Sequence, residues 1–121
     1  MTVPPLLDAR SLDRAREALC CLPFLRGFYD SVALQPLASR QVAERPDWCR
    51  RPCSEADAED QFRWLIRLGV LRREVDGQGL THRVRLTPMG RQILRDWPGE
   101  LPQAGLLRRL RHGLRRRWPR L

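Results

Sequence analysis

Lysine is absent from this 121-residue chain, so each of its 23 basic residues is an arginine. A GC-rich coding sequence produces such a bias without selection on function, but the planar guanidinium still binds phosphate and carboxylate bidentately. Acidic residues are missing from residues 101–121, which hold seven arginines, whereas residues 1–100 hold 16 arginines and all 14 acidic residues. The net charge of +9 is therefore concentrated at the C-terminal end, and the body is nearly neutral.

Long hydrophobic runs are also missing, and none approaches the roughly 20 apolar residues that cross a bilayer. The first ten residues lack the charged start and apolar stretch of a secretory signal peptide. We therefore expect a cytoplasmic protein, in a compartment where thiols stay reduced. The hydrophobic fraction of 42% is sufficient for one compact domain.

Catalytic motifs are lacking as well. The sequence has no glycine-rich phosphate loop, no nucleophile elbow and no paired-histidine metal motif. Its two histidines, His82 and His112, lie on a predicted strand and in the C-terminal segment. We expect a binding protein with no cofactor rather than an enzyme.

The four cysteines are Cys20, Cys21, Cys49 and Cys53. Together they could offer four thiolates to zinc, but adjacent cysteines are poor tetrahedral partners, and Cys20 and Cys21 fall in an apolar helical pattern. Buried or unreactive thiols are the main expectation, with metal or redox chemistry as the alternative, and no metal ligand is assigned.

Helical periodicity dominates the first half of the chain. Apolar residues at three- and four-residue steps predict a helix over 12–21 with Ser11 as its N-cap, and Pro23 separates it from a second helix over 23–33. A two-turn helix is predicted over 37–44, followed by a proline-containing loop over 45–54.

In the second half of the chain the spacing of apolar residues changes twice, from helical to strand-like and back to helical. A capping-box-like start at Ser54 predicts a helix that runs to residue 68 and ends at Gly69. Alternating residues then predict strands over 70–75 and 80–86 around a glycine-rich turn. Thr87 followed by proline predicts the start of a helix over 89–97.

This order of elements is the plan of a winged helix-turn-helix domain, mainly α with a β-hairpin wing. We predict a flexible leader over 1–10, the winged-helix domain over 11–98, and an arginine-rich amphipathic or disordered tail over 99–121.

The stretch FRWLIRLGVLRREVDGQGLTHRVRLTPMGRQIL, residues 62–94, resembles the end of the recognition helix, the wing and the next helix of MarR-like and PadR-like regulators. The whole chain also resembles a family of small uncharacterised cyanobacterial proteins that share the Arg-Arg-Glu-Val-Asp-Gly-Gln-Gly-Leu-Thr wing. The first resemblance implies that residues 37–44 and 54–68 form the helix-turn-helix pair, joined by an unusually long connection.

Acidic residues oppose part of this interpretation. The N-terminal part of the recognition helix normally contacts DNA bases, and here it carries Glu55, Asp57, Glu59 and Asp60. Carboxylates facing phosphates are unfavourable, although acids at a helix N-terminus are also ordinary partners of the helix dipole.

The basic residues favour nucleic-acid binding by the wing, the preceding helix and the tail. The alternative for the wing is a solvated strand face that binds no ligand and whose charges keep the edge of the sheet soluble. The predicted nucleic-acid-binding residues are Arg63, Arg67, Arg72, Arg73, His82, Arg83 and Arg85 of the domain, and Arg108, Arg109, Arg111, Arg115, Arg116 and Arg117 of the tail.

Two functions follow from these patterns. The first is a winged-helix DNA-binding protein, a transcriptional regulator whose wing and tail arginines contact the phosphates of duplex DNA. The alternative is a winged-helix module that docks on a protein partner or an anionic membrane through residues 103–121, without sequence-specific DNA binding. The sequence leaves the oligomeric state and any small-molecule effector open.

Overall fold

The computed structural model describes residues 9–97, 99 and 100. It contains five α-helices and a two-stranded antiparallel hairpin, an order compatible with a winged-helix-like layout. The helices are α1 (Ala9–Cys21), α2 (Arg26–Leu34), α3 (Ser39–Ala43), α4 (Glu55–Arg67) and α5 (Pro88–Asp96), and the strands are β1 (Leu71–Asp76) and β2 (Gly79–Leu86).

Pro23 separates α1 from α2, as predicted, because it cannot continue the first helix. The predicted N-cap at Ser11 is wrong, because Ser11 and the two residues before it are already helical. Ala9 and Arg10 are strong helix formers, and both are helical although they lie in the segment predicted as a leader.

The connection between α3 and α4 contains a 3-10 turn, Pro46–Trp48, which the sequence interpretation treated as plain loop. The Trp48 ring is buried against Phe28, at 6.2 Å between ring centroids. This apolar anchor gives the long connection a fixed path over the core.

The start of α3 also differs from the prediction, because Leu37 belongs to a β-bridge and not to the helix. The Leu37 amide donates to the Val84 carbonyl at 3.1 Å, and the Val84 amide donates back at 2.8 Å. The segment before α3 is thereby fixed beside β2, at the base of the hairpin.

Helices α4 and α5 have the predicted N-caps. Ser54 accepts a hydrogen bond from the Asp57 amide, and the Asp57 carboxylate accepts one from the Ser54 amide. The backbone turns after α4 at Gly69, which has a φ of +86°. Thr87 caps α5 by accepting a hydrogen bond from the Gly90 amide.

The core lies between the helices and the inner face of the hairpin. Its largest fully buried side chains are Tyr29, Phe24, Phe28, Phe62, Leu19, Leu37, Leu65, Leu71, Ile93, Val32 and Val42. Val84 and Leu86 point inward from β2, as the alternation predicted, so the base of the hairpin is part of the core.

The segment after α5 is held against the start of α2 by Arg26. Its guanidinium donates to the carbonyls of Trp97 and Gly99, and its backbone amide donates to the Glu100 carboxylate at 2.8 Å. Asp30, one turn along α2, pairs with the same guanidinium at 2.9 Å. The chain therefore leaves the described part of the fold from a fixed position beside α2.

Candidate nucleic-acid interface

Three of the predicted binding residues share the outer face of the hairpin. Arg72 on β1 lies directly opposite Arg85 on β2, so the two side chains are on the same face. Arg83 is two residues along β2 from Arg85 and therefore points to that face as well. Like charges placed in this way repel one another unless an anion lies between them.

Glu74 supplies that anion. Arg85 donates to its Oε1 atom from Nε at 3.2 Å and from Nη2 at 2.8 Å. The Arg83 Nε lies 2.8 Å from Oε2 as an ion pair without hydrogen-bond geometry. The carboxylate is 13% exposed, whereas the Arg83 and Arg85 side chains are 48% and 40% exposed. Two guanidiniums thus pair with one largely buried carboxylate, Arg72 lies on the same face, and cationic surface remains open to solvent.

Arg73 has a different position from the other hairpin arginines. It lies opposite Val84, on the face that packs against the core. Its guanidinium pairs with Glu59 of α4 and donates to the His82 carbonyl at 2.9 Å. Both charged side chains of this pair are largely covered, at 19% and 22% exposure. Arg73 therefore ties the hairpin to α4 and is less available to a ligand than Arg72.

The four acids of α4 are not equivalent. Asp57 closes the capping box, and the backbone and side-chain hydrogen bonds from Ser54 lower its pKa. Glu59 is paired with Arg73. Glu55 and Asp60 are exposed at the start of the helix. Two carboxylates thus have local structural roles, and the other two remain unfavourable neighbours for phosphate.

An open groove of about 680 Å³ lies between α3, the exposed side of α4 and β2. Its charged lining combines Arg40, Arg63 and His82 with Glu55 and Glu59. The structure therefore brings Arg63 and His82 to one groove, where carboxylates offset their charge.

Arg67 lies one turn beyond Arg63 on α4. Its guanidinium stacks over the Trp64 ring, 5.6 Å from the ring centroid. It is not among the residues that line the groove.

The hairpin tip carries an apolar pair that the sequence analysis did not single out. Val75 and Leu80 lie opposite each other and are 62% and 75% exposed. The sequence analysis also did not predict the ion pairs of the hairpin arginines, which join Glu59 to Arg73 and Glu74 to Arg83 and Arg85. The alternation of β1 does place Glu74 on the same face as Arg72, and this was the available signal.

The six predicted binding arginines of the tail, between residues 108 and 117, lie outside the described residues. So does His112. The assignment of the complete set of arginines to nucleic-acid binding remains a prediction.

The cysteines occupy two environments. Cys20 and Cys21 are buried at the end of α1, while Cys49 and Cys53 are half-buried around the connection to α4. Burial raises the pKa of Cys49 and raises that of Cys53 to about 12, so both favour the protonated thiol. Within residues 9–97, 99 and 100, no group of three or more His, Cys, Asp or Glu side chains is placed to hold a metal ion.

In the same residues no helix has the length and apolar character needed to cross a membrane.

Comparison with known proteins gives one match. The model of a small uncharacterised family, described as Npun_F0494-like, matches residues 6–116. This agrees with the resemblance to a family of small uncharacterised proteins. No curated protein and no solved structure matches the chain. The likeness to MarR-like and PadR-like regulators therefore stays a prediction.

Proposed function

The chain belongs to the Npun_F0494-like family, and from its geometry we propose that it is a winged-helix protein that binds duplex DNA as a transcriptional regulator. In this proposal α3 and α4 are the helix-turn-helix pair and the hairpin is the wing. The packing of α3 against α4 and the bridge from Leu37 to Val84, at the base of the hairpin, support this arrangement.

The observation that carries the proposal is the cluster of Arg72, Arg83 and Arg85 on one face of the hairpin, where the last two pair with Glu74. Guanidiniums bind phosphate bidentately, and these three project from one face of a narrow hairpin. Glu74 orients two of them and offsets only one charge. The cluster is therefore a prearranged cationic surface with a net positive charge.

Helix α4 contributes little base readout in this proposal. Glu55 and Asp60 are exposed where a recognition helix would approach the major groove. Their charge disfavours deep insertion between two phosphate backbones. Binding is therefore mainly through phosphates, which position a protein on DNA but carry no sequence information directly.

Fluorescence anisotropy with a random duplex and with genomic upstream fragments, over a range of salt concentrations, tests the proposal. Charge reversal at Arg83 and Arg85 is expected to lower the affinity and reduce the log–log salt slope by about 2. The Arg83→Gln/Arg85→Gln variant is the milder form, in case two new acids beside Glu74 unfold the hairpin.

The matched control reverses Arg10 and Arg14, two exposed arginines of α1 that change the net charge equally. Equal losses in both reversed variants would mean that only net charge matters, and would contradict binding by the wing. Unchanged affinity after substitution of Arg83 and Arg85 would contradict it directly.

A second candidate function is docking on a protein partner. The groove between α3, α4 and β2 supports it, because exposed Glu55 and the covered Glu59 give it an acidic side. A partner that co-purifies with the intact chain, and is lost after Glu55→Gln, would favour this function over DNA binding. Binding to anionic vesicles that requires residues 103–121 would favour the membrane form of the alternative.

A further inference from the structure

The tip of the hairpin exposes apolar side chains that do not pack against the core. Val75 and Leu80 form a cross-strand pair at 62% and 75% exposure. Leu34, at the end of α2, is the other large apolar side chain that is mostly exposed in the described part of the chain. Singly scattered apolar residues are normal on protein surfaces, but two that face each other at a protruding tip form a small contact surface.

The tip is also slender. The turn beyond the pair consists of Gly77 and Gln78, and Gly79 opens the return strand with a φ of +117°. A Cβ atom placed on Gly77 or Gly79 would meet no other atom within 4 Å. The Gln78 amide donates to the Asp76 carboxylate at 2.7 Å, which fixes the turn. An apolar pair is thus presented on a narrow, exposed projection.

We propose that this tip enters the minor groove of duplex DNA and that Val75 and Leu80 wedge against a base step. The inference rests on the proposed function and names how the wing engages the duplex. The minor groove is about 6 Å wide, which is narrower than a two-stranded ribbon with its side chains, so only the glycine turn and the pair beside it would enter, with the groove widening as the duplex kinks. Apolar side chains inserted there partly unstack a base step and kink the duplex.

Charge selects DNA over other apolar-binding partners. Arg72, Arg83 and Arg85 lie further down the same hairpin, where the phosphates that border the groove would be. An anionic membrane offers the same charge, but binding at its interface uses a broad apolar face, and two side chains provide little area. The combination of a small apolar tip and a cationic base fits a groove with phosphate walls.

The test uses the full chain and a duplex that carries 2-aminopurine at a flexible pyrimidine–purine step. The ends of the duplex carry a donor and acceptor dye pair. The intact chain is expected to raise the 2-aminopurine fluorescence, because the base unstacks, and to bring the duplex ends closer. The Val75→Thr/Leu80→Thr variant keeps strand-forming residues and is expected to lose both signals, with about tenfold weaker binding. Its salt slope should be unchanged, because no charge is altered.

Leu34→Thr is the matched control, since it removes an apolar side chain that is even more exposed and lies away from the tip. It should leave affinity, unstacking and bending unchanged. A Val75→Thr/Leu80→Thr variant that still unstacks and bends the duplex would overturn the wedge while leaving phosphate binding by the wing intact. Absence of DNA binding by the intact chain would overturn both proposals. If the Val75→Thr/Leu80→Thr variant lost binding to phosphatidylglycerol vesicles while its DNA signals were unaffected, the wedge would be overturned in favour of a membrane contact.

Discussion

Tyr29 is fully buried among the aromatic residues of the core, and its hydroxyl has no hydrogen-bond partner in the described structure. Its ring packs edge-on against Phe28 at 5.0 Å and Phe24 at 6.3 Å between centroids. The ring therefore stabilises the core, while the hydroxyl destabilises the folded state because it leaves water without gaining a new hydrogen bond.

Replacing Tyr29 by phenylalanine should raise the free energy of unfolding by about 1 kcal/mol, because it removes an unsatisfied buried group and keeps the ring. Urea denaturation at neutral pH measures the change. Phe28→Tyr, which adds a hydroxyl to the neighbouring buried ring, is the matched control and should destabilise. A destabilised Tyr29→Phe variant would show that the hydroxyl makes a favourable interaction.

The same substitution should alter the response to alkaline pH. Burial raises the pKa of Tyr29 well above its ordinary value of 10.0. Above pH 10 the unfolded chain releases this proton and the folded chain keeps it, so the stability of the native protein falls as pH rises. The Tyr29→Phe variant lacks that contribution and should lose less stability above pH 10 in the same urea titrations.

Individual residues also show what the sequence could predict about the interface. The positions of Arg72, Arg83 and Arg85 on one face follow from strand alternation, which the sequence displays. The pairing of Arg73 with Glu59 joins residues of two elements and depends on how α4 packs against the hairpin. The distribution of charges along the sequence does not predict how α4 packs against the hairpin.

The position of helix α5 depends on how closely it approaches the hairpin that precedes it. A Cβ atom on Gly90 would lie 2.7 Å from the Val70 carbonyl oxygen and 2.6 Å from Leu86 Cδ1. Backbone cannot give way as a flexible side chain can, so the first turn of α5 requires glycine here.

Gly90→Ala should therefore lower the free energy of unfolding by about 2 kcal/mol, although alanine is the better helix former by about 1 kcal/mol. Thermal or urea unfolding measures the effect. Gly77→Ala at the hairpin turn is the control, because its new methyl group meets nothing within 4 Å. Equal stability of the Gly90 variant and the native chain would mean that α5 can move away from Val70 at little cost.

Elements with strong local signals were predicted well. Pro23, Ser54 and Thr87 act within a few residues of themselves, and each marks a boundary that the structure confirms. Leu37 was assigned to a helix because it continues an apolar pattern, but its backbone pairs with Val84, 47 positions away. Such a bridge is set by tertiary structure, and local periodicity does not contain it.

Glu74 limits how strongly the proposed wing attracts a polyanion such as DNA. Glu74→Gln removes the carboxylate that pairs with Arg83 and Arg85. The variant should bind duplex DNA roughly tenfold more tightly at low salt, with a log–log salt slope steeper by about 1. Anisotropy titrations measure both quantities.

Asp13→Asn is the matched control for this variant, since it removes one acid from an exposed position of α1. It should change the affinity far less, because distant surface charges are screened by salt. Thermal unfolding of both variants checks that the hairpin remains folded. Weaker DNA binding by a folded Glu74→Gln variant would mean that Glu74 positions the two arginines more than it neutralises them.

The contacts of Arg26 have a mechanical consequence. The Arg26 guanidinium donates hydrogen bonds to the carbonyls of Trp97 and Gly99, and its backbone amide donates one to the Glu100 side chain. Tension on the chain that follows would therefore reach α2 first through these contacts. The Arg16–Asp96 pair, at 2.6 Å, would pass part of that load to α1. A partner that pulled on the arginine-rich end would thus strain the helical side of the molecule before it disturbed the hairpin.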